Sequence, residues 1–310
     1  MNDVPRIGVL LCAHNGGAYI DEQLASLAAQ EQLPHCLEIH DWGSSDDSCA
    51  RVQQWLEAER MPAALFRHPQ APGPCASFIR SLELMLQRHP ELTHVMFCDQ
   101  DDRWHPRRVA RYAGAVAGPQ APDLLFSDLD LIDGDGERLA DSFYRRPGSP
   151  FSWPVGLDDA DVFLVNPVVG MSMIISRPLA ERLVSHGDGP WPMHDWGAVM
   201  LCRLYHCRWE FLPEVLGSYR QHGANLRGAS SASGARASLG RLRERIRSIH
   251  DLGHWCRTHA ADDRGGTLVP TTRWQALHCA AVSRNLRWWY RMVLSSLLLL
   301  LWPRKGATRD

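Results

Sequence analysis

Thr93-His94-Val95-Met96-Phe97-Cys98-Asp99-Gln100-Asp101-Asp102-Arg103-Trp104-His105-Pro106 is the stretch around which this chain is organised. Four consecutive apolar residues, Val95 to Cys98, bounded by polar neighbours, read as a short buried strand. Three carboxylates follow almost together: Asp99, Asp101 and Asp102. Like charges this close repel, so the group is costly unless a cation sits among them. Hard oxygen ligands at a strand end suit Mg²⁺ or Mn²⁺, which keep waters and bridge to phosphates. An isolated Asp-x-Asp is more often a solvated turn. The surrounding chain has to decide between the two.

Upstream, Ile7 to Cys12 is a near-continuous apolar run, as expected of a strand covered on both faces. His14-Asn15-Gly16-Gly17 breaks it, and Tyr19, Ile20, Leu24, Leu27 and Ala28 then recur at helical spacing. The same alternation repeats twice. Cys36 to His40 is a strand closed by Asp41-Trp42-Gly43, with Ser45 or Asp46 expected to cap a helix over 48–60. Ala63 to Phe66 is a strand, the proline-rich 68–74 a loop, and 77–88 a helix leading into the opening stretch. Strands alternating with helices predict a mostly parallel α/β sheet. Ligands of such sheets bind outside the carboxyl ends of the strands. Ala13-His14-Asn15, Asp41 and Asp99-Gln100-Asp101 sit at three such ends.

Downstream, the spacing predicts a helix over 107–117 and strands over 123–127, 166–176, 208–212 and 215–219. A helix from Met193 to Cys207 carries Asp195 in its first turn, where the helix dipole favours an acid. Asp128 to Glu137 mimics a calcium loop, but its Gly and Glu fall off the EF-hand positions, so a hairpin turn at 133–136 is expected.

In order and at matching spacing, VLLCAHNGGAYIDEQLASL (9–27), DWGSSDDS (41–48), FCDQDDRWHPRRV (97–109), SDLDLIDGDG (127–136), NPVVGMSMIISR (166–177), HDW (194–196) and YRQHGANLRGA (219–229) resemble glycosyltransferase family 2, in its rhamnosyltransferase-like branch. The resemblance implies an inverting enzyme of GT-A fold: a single Rossmann-like, mostly parallel sheet flanked by helices. The domain would span 1–227, with a nucleotide-sugar half over about 1–128 and an acceptor half over about 129–227. The implied reaction moves a sugar, rhamnose in that branch, from a nucleotide diphosphate sugar to a saccharide or lipid-linked saccharide hydroxyl in bacterial cell-surface polysaccharide synthesis. Ala13, His14, Asn15, Asp41, Asp99 and Gln100 would bind the nucleotide sugar. Asp101 would be the direct ligand of Mg²⁺ or Mn²⁺, with His222, then Asp99, then Asp102 behind it. Asp195 would be the catalytic base. Trp42 departs from the family, which usually has a second acid there, and Ala76-Ser77 replaces a common Lys-Asn pair.

Two other classes fit less of the chain. A sugar nucleotidyltransferase would share the cleft but resembles a Gly-rich loop with basic residues, which His14 to Gly17 lacks. A catalytically degenerate nucleotide- or saccharide-binding relative is the reading that Trp42 supports.

Composition bounds the rest. The 310 residues, 45% hydrophobic and 22% charged, suit a globular protein with a full core. Nine cysteines without repeated spacing argue for reduced thiols, and no secretion signal is visible at the start, so a cytoplasmic protein is expected. From Arg236 onward, fourteen Lys and Arg stand against five acids, so this part is net positive by nine on a chain of net charge -2. A basic tail suggests an anionic surface. Nucleic acid is not the expected partner, because clustered carboxylates repel phosphates unless a metal intervenes. Residues 228–240, rich in Ser, Ala and Gly, read as a flexible linker, and 241–310 as a basic amphipathic helical region. Its apolar run from Met292 to Trp302 is too short to span a bilayer, but Trp288, Trp289, Tyr290 and Trp302 with flanking Arg and Lys fit a peripheral anchor on the inner face of the cytoplasmic membrane.

Overall fold

The computed structural model describes residues 4–59, 61–147, 149, 154, 159–222, 246–256, 258, 272–283 and 286–302. The linker expected at 228–240 lies outside them. By its contacts the chain forms two compact units. One holds 1–143, 168–187 and 193–221; the other holds 144–167, 188–192 and 222–310.

The first unit is built on a nine-stranded sheet. Strands β1 (Ile7–Ala13), β2 (Cys36–Trp42), β3 (Ala63–His68) and β4 (His94–Asp99) are mutually parallel. Between them run α1 (Ile20–Ala28), α2 (Ser48–Ala58) and α3 (Pro74–Arg88). β1 reads as a continuous apolar run because helices cover both sheet faces. Val9, Leu11, Leu24, Leu27, Ile39, Val52, Met96 and Cys98 are all buried in one cluster. Burying one such Leu or Ile side chain stabilises by roughly 1.5–3 kcal/mol.

The far half mixes directions. β8 (Met173–Ser176) is antiparallel to both β4 and β6 (Leu124–Ile132), whereas β9 (Trp209–Arg220) runs parallel to β6. The short β5 (Arg103–Trp104) is antiparallel to β9, which completes the order β3-β2-β1-β4-β8-β6-β9-β5. Helices α4 (Arg108–Ala115), α6 (Arg177–Ser185) and α7 (His194–Leu204) complete this unit. β6 and β7 (Arg138–Ala140) form the expected hairpin, its turn held by Asp133 Oδ1 accepting from Asp135 N at 3.0 Å and Glu137 N at 2.9 Å.

Three local expectations change. The two strands expected over 208–212 and 215–219 are one, Trp209–Arg220; the pairing slips between Leu212 and Val215, where Pro213 has no N–H for the ladder. Of 166–176, only Met173–Ser176 is strand, because Gly170–Ser172 forms a 3₁₀ turn. Neither Ser45 nor Asp46 is the cap of α2: Asp47 precedes it, and Asp46 accepts instead from Gly17 N at 2.9 Å and Ser48 N at 3.1 Å.

In the second unit, α5 (Asp159–Leu164) packs on the helix Arg273–Val282, which in turn packs on the helix Trp288–Leu301. Thr272 caps Arg273–Val282 with a reciprocal Thr272–Gln275 capping box. Residues 246–256 are helical.

Candidate active site

The parallel register sets the site. Ala13 on β1 stands opposite Asp41 on β2, and Cys12 opposite Asp99 on β4. The three strands therefore end level, and their turns meet. His14 N–H donates to Gln100 Oε1 at 2.8 Å, and Gln100 Nε2 donates back to the His14 carbonyl at 3.1 Å. Asn15 N–H donates to Ser44 Oγ at 2.8 Å, Ser45 N–H returns to Asn15 Oδ1 at 2.8 Å, and Gly16 N–H donates to Ser48 Oγ at 2.8 Å. Asn15 adopts φ 52°, a region Asn tolerates better than most residues. Gly16 is required by close approach, since a Cβ there would lie 2.3 Å from Gln100 Oε1. Gln100 thus clamps the β1 and β4 turns together through its whole amide.

Asp41 is buried; its Oδ2 accepts from Ser44 N at 3.1 Å, whereas its Oδ1 has no hydrogen-bond partner. His14 Nδ1 donates to the Trp42 carbonyl at 2.7 Å, since a carbonyl can only accept. The Trp42 side chain is buried, donates from its indole N–H to Ser81 Oγ at 3.0 Å and stacks on His68 with ring centroids 3.9 Å apart. The departure at position 42 is thus a packing residue directed at α3.

The acidic turn is held from behind by Arg220, a fully buried residue at the end of β9 to which the sequence reading gave no role. Its backbone N–H donates to Asp102 Oδ1 at 2.8 Å and its Nε to the Asp101 carbonyl at 2.7 Å. Its Nη1 reaches the carbonyls of Asp133 at 3.2 Å and Gly134 at 3.1 Å, and its Nη2 reaches Glu22 Oε2 at 2.6 Å. Five bonds from one residue fix the turn against α1 and the β6–β7 hairpin. Asp102 is spent on this scaffold, although its buried Oδ2 has no partner.

Burial pushes the Asp99 carboxyl up to about 8, aided by the charges of Asp101 and Asp195 and opposed by Arg108. Burial, then Asp101 and Asp99, push Asp102 up as well, against the Arg220 N–H and Arg108. Burial and the four carboxylates Asp102, Asp99, Asp101 and Asp195 raise the Tyr219 hydroxyl. Asp195 therefore shares one electrostatic neighbourhood with the acidic turn although it lies on α7. Its own carboxylate is pinned: Oδ2 accepts from Gly170 N at 3.1 Å and Oδ1 from Trp196 N at 2.6 Å.

Among the described residues no three His, Cys, Asp or Glu side chains converge as a ready-made metal cage. The acidic turn still suits a hard cation. Its carboxylates repel one another across a buried site, Asp102 Oδ2 lacks a donor, and Arg108, the nearby cation, is committed to the Leu216 and Met171 carbonyls. An ion held by one or two carboxylates and completed by phosphates and water needs no full protein cage. His222 belongs to the second unit. The other acid-rich segment is structural: Asp128 accepts from Leu129 N at 2.8 Å, Phe143 N at 3.1 Å and Ser142 Oγ at 2.6 Å.

No family model matches the chain. A curated protein of Nostoc sp. named an uncharacterized glycosyltransferase is 25% identical over 226 residues, 71% of this chain. The chain spans 66% of that relative's length. Among solved structures, the mannosyltransferase PcManGT of Pyrobaculum calidifontis, in complex with GDP-Man and Mn²⁺, superposes with TM-score 0.57 at 16% identity, over 96% of this chain and 88% of that one. Staphylococcus aureus TarS 1–349 with UDP gives 0.55 at 14% identity, over 94% and 86%. Glucosyl-3-phosphoglycerate synthase of Mycobacterium tuberculosis, with Mn²⁺, UDP and phosphoglyceric acid, gives 0.51 at 19% identity, over 85% and 82%. By fold, this chain is of the GT-A type, the architecture of the glycosyltransferases it resembles.

Proposed function

We propose that the chain is a metal-dependent, inverting glycosyltransferase that takes a nucleotide diphosphate sugar as donor. The observation that carries this reading is the level ending of β2, β1 and β4, which gathers Asp41, the Ala13–Asn15 turn and the Asp99–Asp102 turn at one edge, with Asp195 in the same field. The curated relative's name and the ligands of the structural neighbours support it.

In this reading residues 1–128 hold the donor and 129–227 the acceptor. Asp41, at the end of β2, contacts the base. The turn at His14 and Asn15, clamped by Gln100, lies along the nucleoside, and Asp99 approaches the ribose. Asp101, with Asp99, would hold Mg²⁺ or Mn²⁺. The ion, when bound, offsets the charge that develops on the leaving diphosphate. Asp195, oriented by the Gly170 and Trp196 N–H groups, takes the proton of the acceptor hydroxyl, and displacement from the opposite face inverts the anomeric centre. The family resemblance favours rhamnose as the sugar and a saccharide or lipid-linked saccharide acceptor in bacterial cell-surface polysaccharide synthesis.

A panel of nucleotide sugars tested for stabilisation against heat, with Mg²⁺, Mn²⁺ or chelator, tests the reading. One nucleotide class should stabilise only with metal, by about 2.7 kcal/mol at a hundredfold excess over Kd. Equal stabilisation in chelator, or none with any donor, would refute it.

A further inference from the structure

The helix Trp288–Leu301 is apolar on two opposite sides. Leu294 and Leu298 are buried, on the side where this helix packs with the helix Arg273–Val282. The other side leaves Met292 65%, Val293 47%, Leu299 47% and Leu300 79% exposed. Residues 292, 296, 299 and 300 follow i, i+4, i+7, i+8, so the exposed apolar atoms form one stripe, interrupted by Ser296. Trp274, 67% exposed, belongs to the same pair: Arg273 Nη1 donates to the Leu299 carbonyl at 3.4 Å, joining the start of one helix to the end of the other. A helix that is apolar on two opposite sides needs a second apolar medium for the side its partner helix does not cover.

Charge identifies the medium. From Thr272 to Trp302 the sequence holds four arginines (Arg273, Arg284, Arg287, Arg291) and no Asp or Glu, and Arg304 and Lys305 follow directly. Arg273 stacks over the Trp274 ring at 5.0 Å from its centroid, and Arg291 Nη1 donates to the Ser283 carbonyl at 3.0 Å, which holds both guanidinium groups at the helix pair. A two-fold contact with a second copy would set this acid-free, basic surface against itself. The helix is 14 residues, about 21 Å long, against roughly 30 Å of hydrocarbon, and no helix among the described residues is long and apolar enough to cross a membrane.

We propose that this helix pair lies flat on an anionic lipid surface, with Met292, Val293, Leu299, Leu300 and Trp274 entering the headgroup boundary and the arginines pairing with lipid phosphates. The Trp302 ring packs edge-on against His250, with centroids 5.4 Å apart. The side chains of Trp288 and Trp289, also expected to serve as anchors, lie outside the described residues.

The test is flotation of the full chain with vesicles of phosphatidylcholine alone or in equimolar mixture with phosphatidylglycerol. The expected result is at least about tenfold more partitioning to the anionic vesicles, falling with salt. The double substitution Met292→Ser, Leu300→Ser should lower it roughly tenfold with the thermal midpoint unchanged. If that variant unfolds, Trp274→Ser on the neighbouring helix is read in its place. Equal partitioning to neutral and anionic vesicles overturns the proposal, as does partitioning that ignores the substitutions. So does a self-associated species that the substitutions disperse without any vesicle binding. None of these readouts depends on transfer activity, so the result stands apart from the proposed reaction.

Discussion

The backbone N–H of Gly170 donates to Asp195 Oδ2 at 3.1 Å, and no Cβ fits at Gly170, because it would lie 2.8 Å from Nε2 of His194. His194 cannot yield easily: it is buried between Phe78 and Phe97, with ring centroids 4.1 and 4.9 Å away. Burial depresses its pKa to about 3, so it stays a neutral plate at physiological pH. Gly170→Ala should therefore move the 3₁₀ turn and the carboxylate it orients. Transfer turnover should fall by about 10²-fold, the cost of a misplacement near 1 Å, with donor affinity unchanged. Adding His194→Ala should recover part of that loss. Steady-state kinetics of the single and double variants check this, and unchanged turnover in Gly170→Ala would remove Gly170 from the positioning role.

Asp195→Asn keeps the shape of the side chain but not its basicity. Donor binding should persist while transfer drops on the order of 10²-fold or more. Isothermal titration with donor, beside turnover measured on the same preparation, separates the two. A variant that turns over normally would exclude Asp195 as the base.

Asp101→Ala should abolish metal-dependent binding of a nucleoside diphosphate, because a site completed by phosphates depends on its principal carboxylate. Asp102→Asn should behave differently. Asp102 Oδ1 accepts the Arg220 N–H from full burial, so the effect should fall mainly on stability. Titration of Mn²⁺ with nucleoside diphosphate, set against thermal midpoints, distinguishes the two variants.

Arg220→Lys preserves charge but not the planar fork that reaches the Asp101, Asp133 and Gly134 carbonyls and Glu22 together. The unpaired, partly buried carbonyls and the lost Glu22 contact should cost about 1–3 kcal/mol of stability, measured by denaturant unfolding. Donor binding should weaken in parallel, since the acidic turn loses its support.

Glu38 predicts the acid limb of the stability curve. It is 1% exposed on β2, and its carboxylate accepts from Arg88 Nε at 2.8 Å and Nη2 at 2.9 Å, with His40 Nε2 at 2.9 Å and His89 Nε2 at 3.1 Å. Burial alone would raise its pKa, but Arg88 and then His40 outweigh it and hold the carboxyl at about 2. A folded pKa below the unfolded value of roughly 4.3 means the ionised form stabilises the fold. That contribution is complete above pH 4.3 and is lost as pH falls toward 2. Glu38→Gln should flatten the melting temperature across that window, and an unchanged slope would refute the assignment.

The sequence by itself determined the repeated strand–turn–helix order and the acidic turn that follows β4. Apolar runs at Ile7–Cys12 and Val95–Cys98 can be satisfied only by burial on both faces, and a period of 3.6 or 2 is a local property. Asp99, Asp101, Asp195 and the Asn15 turn were legible for the same reason: each sits at a visible end of an element. Arg220, Gly170 and Tyr219 were not. Nothing local separates a buried Arg from a surface one, and the role of Gly170 exists only because His194, 24 positions away, is wedged between two phenyl rings. The doubt raised by Trp42 also needed three dimensions. Only packing shows that its indole stacks on His68 and bonds Ser81, leaving the carboxylate beside it, Asp41, with one oxygen unpaired. Tertiary structure decided which polar groups hold the scaffold and which stay unpaired, because that division depends on partners far apart in the chain.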